Sequence, residues 1–213
     1  MVATRWWTMW GLLCLMLLSG CVSVEESSPT RFELLFDGKT FKGWEGNLAV
    51  FRIEDNAIVA GSLENAITHN DFLCTKQEYS DFELRLQVKL LGKQANAGIQ
   101  FRTHRIPEHY EVSGYQADMG QQYWGCLYDE SRRNKVLAGV AKEQAAEIVR
   151  ASQWNDYIIR CEGDRIQLWL NGTLTVDYTE TDSSIEHTGI IALQIHGGPP
   201  SEAWYRHIRI KAL

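Results

Sequence analysis

The sequence predicts an all-β fold, a two-sheet sandwich or jelly roll, and three observations carry that prediction. Between Phe82 and Leu90, apolar residues alternate with Glu83, Arg85, Gln87 and Lys89, the period of two that gives a strand one apolar and one polar face. Ile166, Leu168 and Leu170 run straight into Asn171-Gly172, the pair that best tolerates positive φ at both centres of a tight hairpin turn. Elsewhere short β-rich runs recur between Gly and Asn turns with no βαβ alternation, which favours packed antiparallel sheets over an α/β arrangement.

The chain opens with Arg5, an almost wholly apolar stretch from Trp6 to Leu18, and Leu18-Ser19-Gly20-Cys21. Small residues before a cysteine, after so short an apolar run, read as a cleaved lipoprotein signal peptide over residues 1–20. A spanning helix needs about 20 apolar residues, so an uncleaved anchor is the weaker reading. Lipidation at Cys21 would tether the protein to a membrane, each acyl chain contributing about 0.8 kcal/mol per buried methylene. Residues 21–31 mix Ser, Glu and Pro without periodicity and form the lipidated tether. One domain then occupies residues 32–213. The expected location is the cell envelope, lipid-anchored and facing the periplasm or outer membrane.

Within the domain, Ile99 and Phe101 alternate with Gln100 and Arg102, Tyr157 to Cys161 is β-rich, and Thr173 to Tyr178 returns from the Asn-Gly turn. Gly189 to His196 and Trp204 to Lys211 are the closing strands. Val140 to Ala151 holds helix formers between strands and reads as a short connecting helix or loop. The formal charge is −6 and the basic residues are scattered, so nucleic acid is not an expected partner. Cys74, Cys126 and Cys161 form an odd set without metal-ligand spacing and read as small buried hydrophobes.

Strand parity places the candidate chemistry. With Ile99 and Phe101 inward, Gln100, Arg102 and His104 point outward in a row. Gln116 shares a face with Asp118, Tyr128 with Glu130, and Gln194 with His196. Such faces are poor in Lys, Ser and Thr and rich in groups that bind hydroxyls or move protons. Arg102 is the candidate oxyanion holder; Asp118, Glu130 and His196 are the titratable candidates; Gln100, Gln116, Tyr128 and Gln194 are candidate substrate contacts. An ion pair of Arg102 with Asp118 or Glu130 is an equally good structural reading, and His196 before Gly197 also fits a plain strand end. Of Trp44, Trp124, Trp154, Trp169 and Trp204, one or two are expected at a site and the rest in the core. No His, Cys or acidic cluster has metal-site spacing; a divalent metal is compatible but not indicated.

Leu35-Phe36-Asp37-Gly38-Lys39 with Gly43-Trp44, Asn96 to Arg102, Gly114 to Asp118, Gly125 to Glu130, Trp154-Asn155, Leu170-Asn171-Gly172, Ile191 to His196 and Arg206 to Ile210 together resemble the 3-keto-disaccharide hydrolase domain family. Ala97 stands where Ser is usual and His207 where Asn is usual. The resemblance implies a concanavalin A-like jelly roll whose concave sheet holds a carbohydrate substrate. It also implies glycosidic-bond cleavage of 3-keto-glycosides or 3-keto-disaccharides, by C2 proton abstraction and elimination, as hydrolase or lyase. Arg102 is then assigned to the oxyanion, Asp118 or His196 to proton transfer, and Glu130 to acid or orientation. A metal in some branches of the family would take part of the arginine's role. A non-catalytic, lectin-like binding module is the alternative on the same scaffold.

Overall fold

The computed structural model describes residues 1–3 and 31–213, so the signal segment, Cys21 and most of the tether lie outside the described residues. In chain order the elements are β1 (Glu33–Leu34), β2 (Trp44–Glu45), β3 (Phe51–Glu54), β4 (Ala57–Ser62), β5 (Asp71–Tyr79), β6 (Phe82–Gly92), β7 (Asn96–Arg105) and β8 (Val112–Gly120). They continue with β9 (Leu127–Glu130), β10 (Lys135–Ala138), α1 (Lys142–Ile148), β11 (Asn155–Glu162), β12 (Arg165–Leu170), β13 (Thr173–Thr179), β14 (Gly189–Ile195) and β15 (Ser201–Ala212). Two antiparallel sheets result. The back sheet has the order β13-β12-β11-β6-β15-β4-β3, with β1 added on β15, and the front sheet the order β10-β9-β8-β7-β14-β5-β2.

Strand alternation explains this arrangement. Phe82, Leu84, Leu86, Val88 and Leu90 of β6 face inward, and meet Ile99, Phe101, Tyr115, Ala117, Leu193 and Ile195 of the front sheet in one core. Each large apolar side chain so buried contributes roughly 1.5–3 kcal/mol. The Asn-Gly hairpin forms as expected, with φ of 49° at Asn171 and 84° at Gly172. The segment Val140 to Ala151 contains a helix of only 7 residues. Strand β15 begins at Ser201, earlier than Trp204, because it pairs with both β4 and β6 from that point.

Several sequence motifs turn out to be joints. Asp37 accepts from the Lys39 and Thr40 amides at 2.8 and 2.7 Å and shapes a turn, while Trp44 is buried and donates to the Leu35 carbonyl at 2.7 Å. Trp154 and Trp204 meet edge to face on the outside of the back sheet, and Trp124 packs against the core. Cys74, Cys126 and Cys161 are free, buried thiols. Among the described residues no helix is long and apolar enough to cross a membrane.

Asn155 is the most heavily used joint. Its Oδ1 accepts from the Arg150 amide and from Asn171 Nδ2, both at 2.8 Å, while its Nδ2 donates to the Arg150 and Gln153 carbonyls. Asn171 in turn donates to the Ile148 carbonyl at the end of α1 and accepts from the Asp156 amide. Asn155→Ala strands several of these buried groups and should lower unfolding free energy by about 2 kcal/mol in urea titration. A change below about 0.5 kcal/mol, the ordinary range for surface substitutions, would contradict this role.

Candidate active site

The face of the front sheet turned away from the core carries the polar residues, and β7 departs from simple alternation there. Phe101 pairs with Tyr115 but His104 pairs with Ser113, so one extra residue is inserted in β7; Arg102 has a φ of 44°. A bulge of this kind re-aims the side chains on either side of it. Arg102 therefore leaves the row predicted for it. It is 2% exposed and donates to the Ser80 carbonyl at 3.0 Å, the Gly163 carbonyl at 2.7 Å and Asp81 at 2.8 Å. Ser80 and Asp81 lie in the turn that crosses from β5 of the front sheet to β6 of the back sheet, and Gly163 in the β11–β12 turn of the back sheet, so Arg102 fastens the two sheets together and does not join the expected site.

Thr103 takes the vacated orientation and starts a hydrogen-bonded chain. Its Oγ1 donates to Gln100 Oε1 at 2.9 Å, Gln100 Nε2 donates to Gln116 Oε1 at 2.6 Å, and Gln116 Nε2 donates to Asp118 Oδ1 at 2.6 Å. All four are buried. Two glycines make room: a Cβ on Gly114 would meet Thr103 Oγ1 at 1.9 Å, and one on Gly98 would meet Gln116 Cδ at 2.4 Å. Gln100 is wholly buried behind the site and Gln116, which also lines the cavity, links it to Asp118.

Asp118 lines a cavity of about 170 Å³ with Asn96, Gln116, Tyr123, Tyr128, Glu130 and His196. The site brings together the predicted Gln116, Asp118, Tyr128, Glu130 and His196; Gln194 lies close enough to Glu130 to act on its titration. Larger cavities of about 430 and 450 Å³ occur elsewhere, but the first is lined by Arg102 with arginines committed to ion pairs, so size does not identify the site. Tyr123 and Tyr128 supply the aromatic surface for which a tryptophan was expected; none of the five tryptophans lines this cavity.

Charge separates the carboxyls here from others in the protein. Burial opposes ionisation of Glu180, yet Arg133 and the Tyr115 hydroxyl, at 2.7 and 2.6 Å, hold it down to about 2. Asp118 has no such cation. Burial pushes it up to about 8; the Gln116 bond opposes the shift and the nearby Glu130 charge adds to it. Burial, then Glu111 and Asp129, raise Glu130 to about 7, against the Ser131 amide and Gln194. His196 is exposed, and its Nδ1 lies 2.6 Å from the Gly197 carbonyl. A carbonyl only accepts, so Nδ1 carries a proton and Nε2 is the ring nitrogen left to exchange one.

Unsatisfied atoms gather at the same place. Five buried side-chain polar atoms have no hydrogen-bond partner among the described residues, and four of them are Asn96 Oδ1, Glu111 Oε2 and both amide atoms of Gln194. Buried polar groups normally find partners, so these atoms are open to water or to the polar groups of a ligand. Glu111, Asn96 and Tyr123 were not singled out in the sequence. Asn96 lies in a recognised motif, whereas Glu111 comes from a loop whose position depends on the fold. Among the described residues, no group of three or more His, Cys, Asp or Glu is placed to hold a metal ion.

Solved structures share this architecture. A Parabacteroides distasonis protein assigned provisionally as a glycosyl hydrolase aligns at TM-score 0.65 and 18% identity, over 85% of this chain and 94% of that one. The carbohydrate binding module CBM66 from Bacillus subtilis aligns at 0.61 and 14%, over 80% and 96%. A Bacillus licheniformis β-glucanase aligns at 0.59 and 10%, over 88% and 100%. At such identities the likeness shows the fold, a jelly-roll sandwich. Among curated proteins none matches. The sequence profile of the 3-keto-alpha-glucoside-1,2-lyase-like domain matches residues 31–211.

The raised value of Asp118 has a consequence for stability. The native state keeps a proton that the unfolded chain, with an ordinary value of 3.8, has lost. Stability is therefore lost as pH rises from 3.8 to about 8. Asp118→Asn removes this dependence. Its melting temperature relative to the parent protein should rise steadily across that interval; a constant difference would show that Asp118 is ionised when folded.

Proposed function

Because the chain belongs to the 3-keto-alpha-glucoside-1,2-lyase-like domain family, we propose that it cleaves the glycosidic bond of 3-keto-glycosides by elimination. The observation that carries this reading is one buried and one half-buried carboxyl, Asp118 and Glu130, neither beside a cation, in a cleft with unpartnered buried polar atoms. A keto group at C3 acidifies the C2 proton. Removing that proton moves the C–H electron pair into a C2–C3 double bond and leaves the negative charge on the C3 oxygen. The pair then returns, the C1–O bond breaks, and a C1–C2 double bond forms; addition of water completes hydrolysis.

The residues divide this work by their protonation. Asp118, neutral at pH 7, gives a hydrogen bond to the C3 oxygen as charge develops there, the part first assigned to Arg102. A carboxylic acid kept neutral by its surroundings is an established way to build an oxyanion site. Glu130, ionised in part near neutrality, takes the C2 proton. His196, at the exposed side, hands a proton to the departing oxygen through Nε2. Asn96 and Gln194 bind ring hydroxyls, and Tyr128 bounds the sugar. In the same proposal the protein is an exported lipoprotein held at Cys21 in the cell envelope.

Sugar binding without turnover is the second reading, favoured by the likeness to a carbohydrate binding module. Incubation with 3-keto-glucosides and their unoxidised counterparts separates the two. Leaving-group release from the keto substrates alone is expected, with kcat/KM rising through about 7 as Glu130 ionises and falling through about 8 as Asp118 loses its proton. Asp118→Leu and Glu130→Gln should each lower kcat by roughly a hundredfold or more, the usual contribution of a positioned acid or base. Binding of the keto sugars with no release would establish the lectin-like reading instead.

A further inference from the structure

The protein carries a formal charge of −6, yet the outer face of the back sheet has an excess of cations. Its carboxylates are matched to arginines: Glu83 to Arg85 and Arg160, Glu162 to Arg160, Asp177 to Arg165, and Glu54 and Glu202 to Arg52. Asp156 lies 3.9 Å from Arg150. Lys89, Arg206, Arg209 and Lys211, on the outward positions of β6 and β15, stand beyond these pairs. Among the described residues none of the four has a carboxylate within 4.0 Å. They rest against rings instead, Lys89 over Trp204 at 4.0 Å, Arg206 over Trp154 at 3.9 Å, and Arg209 and Lys211 over Phe32 at 5.4 and 5.5 Å. A ring holds a cation in place without neutralising it.

Strand register sets apolar residues in line with these charges. Leu174 pairs with Trp169, Trp169 with Ile158, Ile158 with Arg85, Arg85 with Arg209 and Arg209 with Leu34, one row across five strands. Both ends of the row are open to solvent, Leu174 at 43% and Leu34 at 73% exposed. Leu34 belongs to β1, where the tether enters the domain beside Arg209. From Cys21 to Arg31 the chain, even fully extended, reaches about 36 Å. A domain held so close meets the bilayer at a far higher effective concentration than a soluble partner. Aromatic rings, exposed leucines and unpaired cations are together what a bilayer with anionic headgroups takes up; a soluble polyanion would use the cations and leave the leucines in water. We propose that the outer face of the back sheet is a membrane-docking surface, which binds anionic phospholipid headgroups through Lys89, Arg206, Arg209 and Lys211 and turns the cleft on the front sheet toward solution. The commitment to a bilayer rests on the anchoring at Cys21 proposed above.

Full-length protein would be reconstituted with vesicles of phosphatidylcholine, alone or mixed with phosphatidylglycerol, and acetylated with a water-soluble amine reagent, each lysine being followed by mass spectrometry. On the anionic vesicles the labelling rates of Lys89 and Lys211 should fall about tenfold relative to the neutral ones, from the summed attraction of several cations. Lys135, on β10 of the front sheet, should label equally on both. Salt at about 1 M, which confines the charges to a few ångström, should abolish the protection. Arg206→Gln with Arg209→Gln should restore most of the labelling, whereas Arg206→Lys with Arg209→Lys should keep the protection, separating lost charge from a disturbed strand. Equal rates for Lys89 and Lys211 on the two vesicles overturn the surface, and equal protection of Lys135 overturns the orientation. Protection already present in detergent or on neutral vesicles shows that a second copy or an apolar contact covers the face, and overturns it as well. If the protein does not float with neutral vesicles, the anchoring reading fails, and flotation with the anionic ones decides the surface alone. Flotation abolished by salt and by the paired Gln substitutions supports it; flotation that is absent or indifferent to them overturns it.

Discussion

The bulge at Arg102 and Thr103 in β7 controls which side chains meet on the front sheet, because one inserted residue reverses the alternation beyond it. With regular pairing, Arg102 would fall opposite Gly114, whose other neighbour is Glu130, and its guanidinium would lie on the polar face of the front sheet. The bulge sends that charge to Asp81 and two turn carbonyls, where it joins the sheets. Thr103 arrives in its place and orients Gln100, then Gln116, then Asp118. Structural fastening of the two sheets and the hydrogen-bonded chain that ends on Asp118 thus follow from the same local irregularity.

The strands of the site are also held from beneath. Tyr157 of β11 donates to the Asp118 carbonyl at 3.0 Å, and the Tyr205 hydroxyl of β15 lies 2.5 Å from the Gln194 carbonyl and 3.2 Å from that of Gly98. Both tyrosines are buried and belong to the back sheet. They satisfy front-sheet carbonyls and keep the two sheets in register where the chemistry is placed. A site built on strands, with its supporting bonds buried, is more narrowly positioned than one built on loops.

Protonation ties this scaffold to the proposed activity. A lectin site needs aromatic surface and hydroxyl partners, which Tyr123, Tyr128, Asn96 and Gln194 supply. It has no use for two carboxyls raised to about 8 and about 7, since each such burial costs stability without improving neutral hydrogen bonding to sugar. Proton transfer at a carbon next to a ketone does use them. β1, the first described strand, pairs with β15 of the back sheet, whereas the cleft lies on the front sheet.

Local pattern was enough for the all-β class, the β6 alternation, the Asn171-Gly172 hairpin and the grouping of Gln116 with Asp118, Tyr128 with Glu130, and Gln194 with His196. Those properties depend on period-two geometry and turn conformation, which act between near neighbours in the chain. The family motifs were legible too, although Asp37, Trp44, Asn155 and Asn171 prove to be structural joints. Arg102 was misplaced because a bulge is set by pairing with both neighbouring strands, and no residue of β7 announces it. Glu111 was missed because only tertiary packing carries its loop to His196. The titration of Asp118 was likewise decided in three dimensions: a carboxyl's charge state depends on solvent and on which cations are near, and distance through the fold, unlike distance along the chain, sets both.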